Sequence, residues 1–192
     1  MKIARERGLT LIEVLVTLVI LVFGLLGIAA FQAKTQVGSI EAYQRAQAVV
    51  LLQDMRARLS SNPLHAHDYV TATPLGTGDS QPGDCSGTTG ASATDLCEWS
   101  RALKGAALAA DTNTGTASTA VIGARGCVEE LQAADETPGV CRPGIYRVTV
   151  AWQGLHPTKA PALGCARGQY GVDDNNRRAI SVRVAIGVPR CG

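Results

Sequence analysis

The sequence predicts an α+β protein in which one long N-terminal helix packs half its length on a small antiparallel sheet beside a disulfide-rich loop region. Three observations carry that prediction. Val14 to Ala33 is an apolar run of twenty residues without a charge, and an amphipathic pattern follows it directly as far as Leu59. Two C-terminal stretches alternate apolar and polar residues with the period of a strand. Six cysteines all lie after the apolar run.

The first eight residues form a short basic leader, where Lys2, Arg5 and Arg7 outweigh Glu6. That segment carries +3 and −1, which is all of the formal net charge of +2, so the remaining chain is formally neutral. Gly8 ends the leader, and one acid, Glu13, sits near the start of the apolar run. At about 1.5 Å per residue the charge-free stretch covers roughly 30 Å, the thickness of a bilayer's hydrocarbon core. A carboxylate beside such a run is costly in lipid and points to a function. The basic leader on one side, with only Lys34 and then Glu41 starting the other, places the N-terminus in the cytoplasm. A secretory signal peptide would have a shorter apolar core and a small-x-small cleavage site, for which Gly27-Ile28-Ala29 is a weak match. A plain anchor explains length and orientation but neither Gly8 nor Glu13.

From Gln32 to Leu59 there is no proline and one glycine, Gly38. Val37, Ile40, Ala48, Leu51, Leu52, Met55 and Leu59 recur at largely 3- and 4-residue spacing, with Gln44, Arg45, Gln53, Asp54, Arg56 and Arg58 mostly opposite. Ser60-Ser61-Asn62-Pro63 stops the pattern, since the residue before proline is biased away from helix. One helix of about fifty residues is expected from this 3.6-residue periodicity. Residues 64–94, rich in Gly, Pro, Ser and Thr, read as loop. A short helix then opens at Asp95, with Glu98 three residues on as in a capping box, and Leu96, Trp99, Leu103 and Ala107 on one face. Trp99, two residues after Cys97, is expected to anchor the disulfide-tied loop. Asp111–Thr119 is a second connection.

The strand signal is clearest at the end. Tyr146, Val148, Val150 and Trp152 alternate with polar or small residues in 145–153, and Ile180, Val182, Val184, Ile186 and Val188 do so in 180–188. Each has one apolar face, as in an antiparallel sheet covered on one side. A third strand is expected near Arg125–Leu131, joined to the second by a loop with Pro138, Gly139 and Pro143.

Cys85, Cys97, Cys127, Cys141, Cys165 and Cys191 form an even set on one side of the apolar run, which implies disulfides in an oxidising compartment. Six cysteines allow fifteen connectivities. The neighbour pairing Cys85–Cys97, Cys127–Cys141 and Cys165–Cys191 is the expectation, the second bridge stapling the hairpin. Zinc is disfavoured, because no C-x-x-C pair occurs and His65, His67 and His156 lie far from the cysteines. His65 and His67 have metal-like spacing but no third ligand nearby. Asp173-Asp174-Asn175-Asn176 lacks the spacing and glycine of an EF-hand and reads as a polar turn. No G-x-S-x-G or H-E-x-x-H arrangement supports catalysis, and no basic stripe interleaved with aromatics supports nucleic-acid binding. No cofactor is implied.

Gly8 followed by Leu9-Thr10-Leu11-Ile12-Glu13-Val14-Leu15-Val16 resembles the class III signal of type IV pilins and their relatives. The resemblance covers about residues 5–31. It implies that a prepilin peptidase cuts between Gly8 and Leu9 and methylates the new amine on Leu9. It also implies that Glu13, fifth in the mature chain, faces a neighbouring subunit's N-terminal amine during assembly. Leu9 stands where phenylalanine is commonest in the family, and Gly24 and Gly27 stand in an apolar half that often carries a proline, which suggests a minor subunit. Cys97-Glu98-Trp99, Gly126-Cys127-Val128, Tyr146–Gly154 and Cys165 further resemble minor pilins of the PilV type, the type IV pilus modification proteins.

That resemblance implies a non-enzymatic subunit helping to prime assembly with other minor pilins, the major pilin and a tip adhesin. The implied organisation is a cytoplasmic leader peptide (1–8), a transmembrane half-helix in the bacterial inner membrane (9–33), an amphipathic half-helix (34–61) and a periplasmic globular head (62–192). The alternative is a minor pseudopilin of a type II secretion system. A membrane-anchored periplasmic binding domain or enzyme is a third reading.

Overall fold

The computed structural model describes residues 10–105 and 121–189. Its elements are helix α1 (Leu11–Ser61), a 3-10 helix (Pro63–Tyr69), strand β1 (Leu75–Gly76), helix α2 (Ala91–Leu103), strands β2 (Arg125–Gln132) and β3 (Gly144–Gln153), a 3-10 turn (Val172–Asp174) and strand β4 (Arg177–Ile186). The four strands form one antiparallel sheet in the order β1-β2-β3-β4. The architecture is α+β, with a long apolar N-terminal helix, a small antiparallel sheet and disulfides, consistent with a pilin fold. Two compact units divide at residue 40, inside α1.

The first unit is helical from Leu11, and its side chains are almost all exposed. The second unit, from Glu41 onward, holds the core. Along α1 that core takes Gln44, Ala48, Leu52, Met55 and Leu59, a stripe at 4- and 3-residue spacing. Ala66 and Tyr69 of the first 3-10 helix, Trp99 and Leu103 of α2, and the inward side chains of β2, β3 and β4 complete it. Gln44, placed by the pattern on the polar side, is instead 2% exposed. It falls four residues before Ala48, on the same face, so helical geometry buries it whatever its polarity.

The three long strands form where expected, with β4 beginning at Arg177 because its register continues to Arg178 opposite Trp152 and Arg177 opposite Gln153. β1 and the first 3-10 helix lie in the stretch read as loop. β1 is a two-residue strand pairing Leu75 with Gly126 and Gly76 with Arg125. Gly76 has φ +104, and a Cβ there would fall 2.6 Å from the Ala124 carbonyl oxygen, so glycine permits the close approach.

α2 begins at Ala91 after Gly90, four residues before the expected Asp95. Asp95 and Glu98, three apart on one helix face, do not cap it. Both meet Arg58 of α1, whose Nη1 donates to Asp95 Oδ1 at 2.7 Å and to Glu98 Oε2 at 2.6 Å. The expected Ala107 position and the connection 111–119 lie outside the described residues.

The sheet is covered on both faces, not one. Opposite the helical core, Cys127, Ala151, Cys165, Ala166 and Tyr170 make a second buried cluster. Cys85 bonds Cys97, as expected, whereas Cys127 bonds Cys165 with a Cα separation of 5.8 Å. The expected Cys127–Cys141 and Cys165–Cys191 bridges are therefore corrected. Cys127 lies five residues inside β2, about 16 Å of strand from the hairpin end, while a disulfide needs Cα atoms within about 7 Å. Its side chain points to the face that the segment carrying Cys165 crosses. Cys141 is disulfide-bonded too, and Cys191 lies outside the described residues.

The Cys127–Cys165 bridge closes a separation of 38 residues. Removing loop entropy of that size from the unfolded chain stabilises by about 4 kcal/mol. Paired Cys127→Ser and Cys165→Ser replacement should therefore lower the urea midpoint of the full chain in detergent by an amount equivalent to about 3–4 kcal/mol. A change under about 1 kcal/mol would count against a closing role.

Candidate functional site

Two regions carry candidate functional residues: the start of α1 and the junction of α1, α2 and the sheet. Gly8 and Leu9 lie outside the described residues. Immediately after them, the Glu13 and Val14 N–H groups donate to the Thr10 carbonyl at 3.0 and 3.3 Å, closing the first turn of the described helix. Glu13 sits in its first turn and is exposed. A carboxylate there is favoured by the unpaired N–H groups and the positive end of the helix dipole. Among the described residues Glu13 makes no ion pair.

The rest of this unit suits an apolar solvent. Leu11–Ser61 contains a stretch long and apolar enough to cross a membrane. Its few hydroxyls are satisfied within the helix: Thr17 donates to Val14 O at 2.8 Å, Thr35 to Gln32 O at 2.8 Å and Ser39 to Gln36 O at 2.7 Å. Bonding to the carbonyl one turn back lets such residues sit in hydrocarbon without an orphaned donor. Around Gly24 and Gly27 a Cβ would meet nothing.

At the head, the residues of the second resemblance converge. Trp99 is fully buried, and its Nε1 donates to the Leu51 carbonyl of α1 at 2.9 Å. Its ring lies flat on Gly126, where an added Cβ would stand 2.1 Å from Trp99 Cη2. Trp99 thus ties α2 to α1 and to β2, a wider task than anchoring the Cys85–Cys97 loop. Cys127, next to Gly126, bonds Cys165 on the other face, while Tyr146, Val148, Val150 and Trp152 all face the main core. These residues are brought together as packing, not as a reacting set.

Several charged groups had no motif to mark them. Arg58 bonds Asp54, Asp95 and Glu98, and Tyr69 Oη donates to Asp95 Oδ2 at 2.5 Å. Partial burial alone would lower the Arg58 pKa, but hydrogen bonds to Glu98 and Asp95 and the charge of Asp54 more than offset it, so it is raised. Burial, then the bond to Asp95, pushes the Tyr69 hydroxyl up. Arg177 is 1% exposed, with Nη1 donating to Leu163 O and Cys165 O and Nη2 to Pro161 O. Its Nε lies 3.1 Å from Asp174 Oδ2, so the buried charge is paired and its segment pinned. Apart from Asp54, one helical turn before Arg58, these partners lie far away in sequence or inside an irregular turn.

Asp79 illustrates the same construction. Its carboxylate accepts from the Gly76 N–H at 2.7 Å, the Gln81 N–H at 3.1 Å and Ser100 Oγ at 2.7 Å, and it pairs with Lys104. Burial would raise its pKa, but the bonds from Lys104, Ser100 and the two backbone N–H groups outweigh it and hold the carboxyl below its ordinary value of 3.8. A depressed folded pKa gives stability that is present above the unfolded value and lost as pH falls through the folded one. The head should therefore lose stability as pH drops below about 3.8, and Asp79→Asn should flatten that part of a Tm-against-pH curve. An unchanged slope would contradict it.

His65 and His67 lie on the first 3-10 helix, exposed, and face separate carboxylates: Asp68 and Glu130, each at 3.0 Å. Among the described residues no group of three or more His, Cys, Asp or Glu could hold a metal. A cavity of about 490 Å³ is lined by Arg167, Asp173, Asp174 and Arg177 with small residues, but its buried polar groups already serve one another.

The family model described as "Prokaryotic N-terminal methylation motif" matches residues 3–29. No curated protein and no solved structure matches the chain. The matched segment takes in residues 3–8 of the basic leader, Glu13 and most of the charge-free run. Together with the apolar helix, the match supports a membrane-anchored, type IV pilin-like prepilin, of the pilin or pseudopilin kind, and implies processing by prepilin peptidase and assembly with other pilins in general.

Proposed function

We propose that this chain is a minor pilin of a type IV pilus, cut between Gly8 and Leu9 by prepilin peptidase, N-methylated on Leu9, and used to prime assembly with other minor pilins and a tip adhesin. One observation carries the reading: a methylation-motif match at residues 3–29 that covers most of the exposed, charge-free stretch 14–33 of α1. Glycine at the cut lets the peptidase approach the backbone closely. Residues 1–8 are then the cytoplasmic leader, 9–33 the membrane half of the helix, 34–61 its amphipathic half and 62–192 the periplasmic head. The Cys85–Cys97 and Cys127–Cys165 bridges support an oxidising compartment for the head. The lack of proline throughout α1 supports a minor rather than a major subunit.

Deletion of the gene tests the role. Loss of surface pili and twitching, restored by the wild-type gene, is the expected result. Secreted enzymes trapped in the periplasm, with pili intact, would instead assign a minor pseudopilin of a type II secretion system.

A further inference from the structure

The two edges of the sheet are treated differently. Beyond β2 the chain supplies cover: β1 pairs its first residues, the Thr71 N–H donates to Val128 O at 3.0 Å, and the Val128 N–H donates to Thr71 Oγ1 at 3.0 Å. Beyond β4 the described residues supply nothing comparable. β4 runs ten residues as the last strand of the order, about 33 Å of edge. Among the described residues, no backbone group of 177–186 bonds anything outside its pairing with β3. Such an edge is a ready template for another strand unless it is blunted.

The side chains along this edge define what fits it. On the core face, Ile180 and Val182 are only partly buried, leaving apolar surface that a further strand would cover. On the outer face a cross-strand row runs from Glu129 on β2 to Arg147 on β3 and Arg183 on β4. Arg147 Nη1 lies 3.3 Å from Glu129 Oε2, so that pair is internally neutral. Arg183 ends the row as an exposed cation with no ion pair among the described residues. Of the strand's three arginines, Arg177 and Arg178 are paired with Asp174 and Glu41, which leaves Arg183 as its uncompensated cation. Two copies of β4 paired so as to extend this row would set Arg183 against Arg183, whereas a strand with an acid opposite Arg183 would complete the row.

We propose that the free edge of β4 docks an extended segment of a partner protein that carries a carboxylate opposite Arg183 and alternate apolar residues beside Ile180 and Val182. Backbone hydrogen bonds supply affinity in this mode, and the alternating side chains select the partner. Arg183 excludes a second β4 and admits the complementary strand.

The test uses the full-length chain in detergent and a labelled nine-residue peptide, Thr-Val-Thr-Val-Glu-Val-Thr-Val-Thr, read by fluorescence anisotropy. The peptide should bind, and replacing its central glutamate with lysine should weaken binding roughly tenfold, as cross-strand charge pairs allow. N-methylation of alternate peptide amides should abolish it. Arg183→Glu should invert the preference between the two peptides, and Arg183→Gln should erase it, so one misfolded variant does not decide the matter. Absence of binding, or equal binding to all three forms of the chain, would overturn the proposal. Efficient disulfide crosslinking of Ser181→Cys chains to one another would overturn it as well, by assigning the edge to a second copy.

Discussion

Trp99→Ala should remove most of the head's stability. The indole is fully buried, and truncating a buried tryptophan costs about 3–5 kcal/mol in lost transfer energy and cavity formation. Losing the bond from Nε1 to Leu51 O adds about 1 kcal/mol. Domains of this size are stable by about 5–15 kcal/mol, so a large share disappears with one side chain. The effect is concentrated because Trp99 touches α1 and β2 from α2. Urea unfolding of the full chain in detergent, followed by far-ultraviolet circular dichroism, measures it. A loss under about 1 kcal/mol would mean the indole is not holding these elements together.

The partner of that contact makes the test sharper. A Cβ at Gly126 would lie 2.1 Å from Trp99 Cη2 and 2.6 Å from two other ring atoms, so Gly126→Ala should destabilise by forcing the ring aside. With the indole already removed, the methyl group has room. Trp99→Ala and Gly126→Ala combined should therefore cost less than the sum of the two, the coupling expected of residues in direct contact. Additive losses would place the two residues in separate environments.

The long helix and the three long strands were legible because each repeats its pattern over many residues. Apolar periodicity from Ala48 to Leu59 and Pro63 after Asn62 define the end of α1 closely, and it stops at Ser61. β1 left no trace, since two residues cannot display a period. Asp95 and Glu98 have the spacing of a capping box and equally that of two acids facing one arginine. Only the position of Arg58 across the fold distinguishes the two. Cysteine order along the chain says nothing about which face of β2 Cys127 occupies, and that face selects Cys165. Gln44 is polar, yet its four-residue offset from Ala48 puts it on the buried face. At the candidate site, Glu13 lies in the first helical turn as its position after the leader implies. Beyond the helical pair Asp54–Arg58, the charged clusters around Arg58, Asp79 and Arg177 carry no sequence signal, being made by tertiary approach or by irregular turns.

Glu13→Val should separate maturation from assembly. Glu13 is exposed in the isolated chain and has no cation among the described residues, while its described neighbours along the first turns of the helix are uncharged. In a filament core of packed apolar helices, an unpaired carboxylate would cost several kcal/mol, and a neighbouring N-terminal amine would offset that cost. Valine inserts into the membrane at least as readily and leaves the Gly8–Leu9 bond untouched, so cutting should proceed normally. What is lost is the partner that selects axial register, and each 1.4 kcal/mol of selection corresponds to about a factor of ten. The Glu13→Val protein should therefore appear fully processed on an immunoblot while falling at least about tenfold in the sheared surface fraction. Gly8→Ala should give the opposite signature, a chain retained in its longer form because the peptidase meets a methyl group where it needs bare backbone. Normal incorporation of Glu13→Val would remove the proposed pairing and leave the processing site standing. Normal maturation of Gly8→Ala would remove the processing site itself, and with it the reason for placing Glu13 beside a free amine.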